Sequence, residues 1–293
     1  MSNARLLTAP DRSRLRMPRW APHWPVMRRV AAQELREALV SWPWYVTAAV
    51  GLLLAVLLTY NALSFVAVSK LLIMSRPFYL PLLGVATLAM LYIMAWGVLA
   101  IARPRDQGAL RVLFFAPVHP VGLLGGHLLA GLLVYALLML STTPLLVLLA
   151  LRANLPFSLL LIAGALVAPL FALPAVAIGL FISSIAPSSR SAMFLFVGVV
   201  LLVLGIQGGY QAMLSVPPTS SYYDALLFVR ELLRRISDVL GWVSPTALLS
   251  AGLDAVQRAS WLDLLLRVAA ALIGCGIWLW LAVWGLNRRG VLP

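Results

Sequence analysis

Six stretches of this 293-residue chain each run for more than 20 residues with almost no charge. The stretches are 41–69, 78–102, 121–151, 155–185, 192–213 and 264–286, and only the last holds an Arg, Arg267, near one end. A helix crosses a bilayer in about 20 mostly apolar residues. The runs therefore predict six transmembrane helices, at about 44–67, 79–102, 121–149, 157–184, 192–213 and 264–286. The composition agrees: 62% of residues are hydrophobic and 11% charged, where a soluble domain carries about 45–50% and about 25%. So little polar surface excludes an ordinary soluble enzyme, a disordered chain and a disulfide scaffold. The expected class is an all-α polytopic membrane protein.

The charge is one-sided, with 22 Lys and Arg against 9 Asp and Glu, and Lys70 is the only Lys. The bases lie between apolar runs and no nucleic-acid fold signature is present, so they read as headgroup contacts flanking spans, with no nucleic acid as partner. With an even number of spans, both termini share a side. Placing them inside puts 14 bases and 4 acids in the cytoplasm, against 8 bases and 5 acids outside. This favours a cytoplasmic-membrane protein with both termini cytoplasmic, and much of the margin comes from the N-terminal tail.

Residues 1–25 are basic and rich in Pro and Arg, and read as a disordered cytoplasmic tail; the shortage of acids also fits an organellar transit peptide. Residues 26–40 then read as a helix. Met27, Val30, Ala31, Leu35, Ala38 and Leu39 fall on one side of it, and Arg29, Gln33, Arg36 and Glu37 on the other. Arg28 and Glu34 are exceptions to that division. The helix leads into Trp42-Pro43-Trp44-Tyr45, so Met27, Arg28, Arg29 and Leu35 are candidates for an interfacial helix in the membrane plane; a plain cytosolic helix fits the same residues. The extracytoplasmic segment 214–262 opens with Pro217-Pro218, carries an amphipathic helix near 222–240 and restarts after Ser244-Pro245. A structural cap and a gate over an exit path both fit it.

Catalytic groups are sparse. Charge in the bilayer is costly and usually functional, yet the six spans hold no Asp, Glu or Lys. This argues against an ion-coupled carrier and an intramembrane protease. No P-loop, G-x-S-x-G or H-E-x-x-H is present, so no catalytic residue and no metal site are expected. His127, the only span histidine, reads as structural, and Cys275 is alone. Two segments on the cytoplasmic side stand out. In 104–118, Asp106 can cap a helix start, Leu110, Leu113 and Phe114 share a face, and Pro117 ends the run. Residues 179–192 form a span end, a polar turn and a span start.

These segments resemble the ABC-2-type transporter permeases, the membrane subunits of ABC exporters. The family pattern E-x-G-T-L-E-x-L-L-x-S-P-V after span two is similar to Asp106-x-Gly108-Ala109-Leu110-Arg111-x-Leu113-Phe114-x-Ala116-Pro117-Val118. The span opening G-K-x-L-A is similar to Gly126-His127-x-Leu129-Ala130, and G-L-x-I-S-S-x-A-x-S-S-R-x-A matches residues 179–192. The resemblance spans about 26–290. It implies a six-span permease that dimerises, with a second copy or a related permease, and docks a separate ABC ATPase holding ATP and Mg²⁺, while binding no cofactor itself. It places Asp106, Gly108, Leu110, Arg111, Leu113, Phe114 and Pro117 in an ATPase-coupling helix, and Ser183, Ser184, Ser188 and Arg190 in a second cytoplasmic turn. Arg111 stands where the family usually has Glu. The function implied is export of a hydrophobic or amphipathic substrate; a non-transporting scaffold of the same architecture is the alternative.

Overall fold

A computed structural model of the chain describes residues 23–69, 78–108, 120–152, 159–215 and 223–288. The described residues are almost all helical, with no strand among them. In chain order these are α1 (His23–Val40), α2 (Trp42–Ser69), α3 (Tyr79–Asp106), α4 (Pro120–Arg152), α5 (Leu159–Ile185), α6 (Ser189–Leu214), α7 (Tyr223–Val243), α8 (Pro245–Gln257) and α9 (Trp261–Arg288). Six of them, α2 to α6 and α9, are long and apolar enough to cross a membrane. With no water to compete, helices in lipid associate through close packing, which small residues permit.

The centre of the bundle follows that rule. Helices α3 and α5 cross at Gly97 and Gly179, where a Cβ on Gly179 would sit 2.5 Å from the Met94 carbonyl oxygen. Around the crossing, Ala86, Ala89, Ala168, Ala172, Ala175 and Val176 are buried. Tyr135 of α4 is fully buried, and its hydroxyl donates to the Ala86 carbonyl at 3.2 Å. The small pair Gly285–Ser184 brings α9 against α5: a Cβ on Gly285 would lie 2.6 Å from Ser184 Oγ.

One end of the bundle gathers the end of α3, the turn between α5 and α6, and the end of α9; we call this the Asp106 end. At the opposite end α7 and α8 meet at a 76° bend. Ser244, extended at φ −71°, ψ 125°, and Pro245 in the first turn of α8 make that corner. Leu248, Leu249, Leu253 and Val256 of α8 are buried. Gly252 takes the Phe171 ring against its backbone, and the Tyr79 hydroxyl donates to the Ser250 carbonyl at 3.3 Å.

The leading helix α1 turns its apolar side onto α4. Met27 covers Gly125, and Val30 lies against Gly126. Ala31 and Ala38 are buried, Leu35 is half-buried, and Arg28 and Arg29 are exposed. The apolar side of α1 is thus covered by α4.

Candidate functional site

At the Asp106 end, one turn of chain between two spans is held by the end of a third. Helix α5 stops at Ile185, two residues before Pro187, which has no N–H to continue the ladder. Ser188 is extended at φ −144°, ψ 163°, and its side chain accepts from the Ser191 N–H, while Ser191 Oγ accepts from the Ser188 N–H. That reciprocal pair starts α6.

The end of α3 grips both sides of this turn. Arg105 donates to the carbonyls of Ser184, at 3.3 Å, and Ala186. Those are C-terminal carbonyls of α5, the negative end of a helix dipole, where a cation is favoured. The next residue, Asp106, accepts through Oδ2 from the Ser189 N–H at 2.8 Å and from the Ser189 hydroxyl. Ser189 opens α6, where an anion is favoured. Neighbouring residues of opposite sign thus sit on helix ends of opposite polarity. One turn back, Ser183 is fully buried and its Oγ accepts from the N–H groups of Ile101 at 3.0 Å and Ala102 at 2.9 Å.

Helix α3 ends just beyond. The Gly108 N–H donates to the Arg105 carbonyl at 3.1 Å, and Gly108 is left-handed at φ +71°, a conformation that favours glycine at a helix C-terminus. Asp106 therefore lies in the last turn of α3, and its carboxylate caps α6 where the sequence suggested a cap on the helix that follows. Ser184 Oγ donates back to the Phe181 carbonyl at 2.7 Å. Arg190 is exposed at the start of α6. Leu110, Arg111, Leu113, Phe114 and Pro117 lie outside the described residues.

The structure thus joins the root of the 104–118 segment to the second turn, through Arg105 and Ser189, which sequence reading passed over. Their signal was present: an Arg-Asp pair just before a helix-ending Gly, and a Ser-rich turn after Pro187. It also explains Glu34, the exception on the apolar side of α1: Glu34 meets His127 of α4, with Oε1 3.6 Å from Nδ1. Burial, and then the charge of Glu37, push the Glu34 carboxyl up to about 7. At the far end, Arg234 and Arg235 bond Glu231 on α7 and hold its carboxyl below the usual range. Among the described residues, no three of His, Cys, Asp and Glu gather as metal ligands.

What the Asp106 end can do is mechanical. Hydrogen bonds to charged groups tie the end of α3 to the end of α5 and the start of α6. None of the curated proteins matches the chain. Residues 29–290 match the model of a family described as ABC-2 family transporter protein. With that match covering most of its length, the chain belongs to the ABC-2 transporter family, as a multi-pass membrane permease of the kind that works with an ABC ATPase component.

Proposed function

We propose that the chain is the transmembrane half of an ATP-driven exporter for a hydrophobic or amphipathic substrate. ATP and Mg²⁺ are bound and turned over on separate ABC ATPase subunits, which dock at the Asp106 end on residues 104–118. That end is cytoplasmic, with both termini, in the cytoplasmic membrane. The observation carrying this reading is the double grip of Arg105 on α5 and Asp106 on Ser189. A push delivered just after Gly108 reaches two further spans at once, as rigid-body transmission between subunits requires.

Other features support the reading. Exposed Trp24, Trp42 and Tyr45, together with exposed Arg28 and Arg29, suit headgroup depth. Helix α6 exposes Phe194, Leu195 and Leu202 along an open groove of about 530 Å³. We assign that surface to lipid, to a second permease copy or related chain, and to the apolar substrate passing between them.

The test is copurification of a P-loop ATPase with the full-length chain from its own membranes. Leu113→Asp should reduce retained ATPase at least about tenfold, because it places an unpartnered charge in a seated apolar face. Full retention by that variant, with the chain still folded, overturns the docking assignment.

A further inference from the structure

Where α1 crosses the start of α4, two glycines bring the helices to backbone distance. A Cβ on Gly126 would lie 2.7 Å from Val30 Cβ, and one on Gly125 the same distance from Met27 Sδ. Into this contact come the Glu34 carboxyl and the His127 imidazole. Their facing atoms are 3.6 Å apart, just beyond hydrogen-bond length. The His127 side chain is 5% exposed and that of Glu34 24%, and His127 Nδ1 has no hydrogen-bond partner.

The number of protons between those atoms decides the cost of the contact. With Glu34 ionised, the imidazole must turn its one N–H to Nδ1 to supply a donor, and a carboxylate charge stays half-buried near Glu37. With two, a buried imidazolium faces a neutral acid. With one, a small approach makes a single hydrogen bond that satisfies both. We propose that Glu34 and His127 share one proton across the α1–α4 contact, so that the pair is a proton-dependent latch holding α1 to the bundle.

Besides burial, the charge of Glu37, one turn along α1, acts on the pair. On α1, Arg28, Arg29 and Arg36 are exposed, and Glu37 accepts from Gln33 at 3.1 Å. From α3 comes the Trp96 ring, edge-on to the imidazole with centroids 6.0 Å apart. The charged residues of α3 lie further along: Arg103 is exposed, and Arg105 and Asp106 are engaged with α5 and α6. Tyr92 of α3 bonds Ser41. Helices α2 and α5 carry no Asp, Glu, Lys or Arg, and α4 none before Arg152. Tyr135 of α4 is bonded to Ala86.

The sign follows from Glu34. Its carboxyl is raised from 4.5 to about 7, so between those values the docked acid keeps a proton that the undocked acid has lost. Docking therefore weakens as pH rises through that window and levels off above it. The latch stands on this packing alone and does not depend on what drives transport.

The experiment uses full-length protein in lipid nanodiscs, in a Cys275→Ser background. Nitroxides are placed at Arg29→Cys on α1 and Leu140→Cys on α4, both exposed positions. Spin–spin distances are read at pH 5 and pH 8. One proton changes an equilibrium by at most tenfold per pH unit; with Glu34 partly exposed, the longer-distance population should rise about tenfold in all. Glu34→Gln, neutral and still a donor to Nδ1, should stay docked at both values. Equal populations at the two pH values in the parent, or an undiminished pH response in Glu34→Gln, overturn the latch. A second measurement does not depend on how these labels behave. The protonated-carboxyl infrared band lost between pH 5 and pH 8 should vanish in Glu34→Gln and move in frequency in His127→Phe. A band that His127→Phe leaves in place overturns the shared proton.

Discussion

Helices α5 and α6 are consecutive spans of almost equal mean hydropathy, 2.4 and 2.3, yet half of the most apolar stretch of α5 is buried and only 6% of that of α6. Apolar content therefore does not tell a central span from a peripheral one. Residue size does. On α5, Gly164, Ala165, Ala168, Ala172, Ala175 and Gly179 admit neighbouring backbones, while α6 carries Phe194, Leu195, Leu201, Leu202 and Leu204 pointing outward. In lipid a Leu gains little by leaving the acyl chains for another helix; what holds helices together is close fit.

The sharpest way to break this contrast is to enlarge a glycine in each helix. Gly179→Leu drives a side chain into the backbone of α3 at Met94 and Val98, which has no flexible end to move aside. Overpacking commonly costs about 1–3 kcal/mol, and against backbone the effect should be larger, so we expect little monodisperse protein on gel filtration. Gly198 and Gly205 of α6 have open space where a Cβ would go, and Leu there should shift the thermal midpoint by no more than a degree or two. A tolerated Gly179→Leu would mean that small residues do not define the centre.

The next effect tests whether the Asp106 end carries force between these two helices. Arg105→Ala removes the donors to Ser184 and Ala186 and should cost about 2 kcal/mol, as for hydrogen bonds to a charged group. Asp106→Ala removes the acceptor at Ser189 and should lower the melting midpoint by a few degrees. If the proposed mechanism holds, each variant loses most transport, because a push at 104–118 no longer reaches α5 and α6. Ser183→Ala strips one acceptor from Ile101 and Ala102 without changing the side chain's bulk. It should cost about 1 kcal/mol, read as a lower midpoint with transport retained. Full transport with Arg105→Ala and Asp106→Ala combined would remove the double grip from the mechanism.

The six spans were legible because length and absence of charge are local properties of the sequence. The polar turn within 179–192 was legible for the same reason; that Ser188 and Ser191 cap α6 came from the structure. The double grip was not: Asp106 and Ser189 are 83 positions apart, and nothing near Asp106 says which helix it caps. Read locally, Asp106 belongs to the helix after it; in three dimensions it serves α6. Glu34 looked like a flaw in an amphipathic pattern until α4 supplied His127. Likewise, the apolar side of α1 could be recognised from periodicity, but whether lipid or α4 covers it is a tertiary fact.

The smallest expected effect lies at the opposite end, where another arginine meets another helix terminus. Arg267 of α9 stands over the Trp242 ring at 4.0 Å, and its Nη1 is 3.4 Å from the Gly241 carbonyl in the last turn of α7. The chemistry parallels that of Arg105 on α5, but the setting does not: Trp242 is half-exposed and the hydrogen bond is long. A cation over an exposed ring contributes about 0.5–1 kcal/mol. Arg267→Gln should therefore leave the global midpoint within a degree of the parent. Its effect should be local, as faster amide exchange in 236–243 and a red-shifted Trp242 emission, with α3 and α5 unchanged. A fall in global stability equal to that of Arg105→Ala would show that α7 is tied into the bundle as firmly as α5, and that exposure is a poor guide to which helix ends hold this protein together.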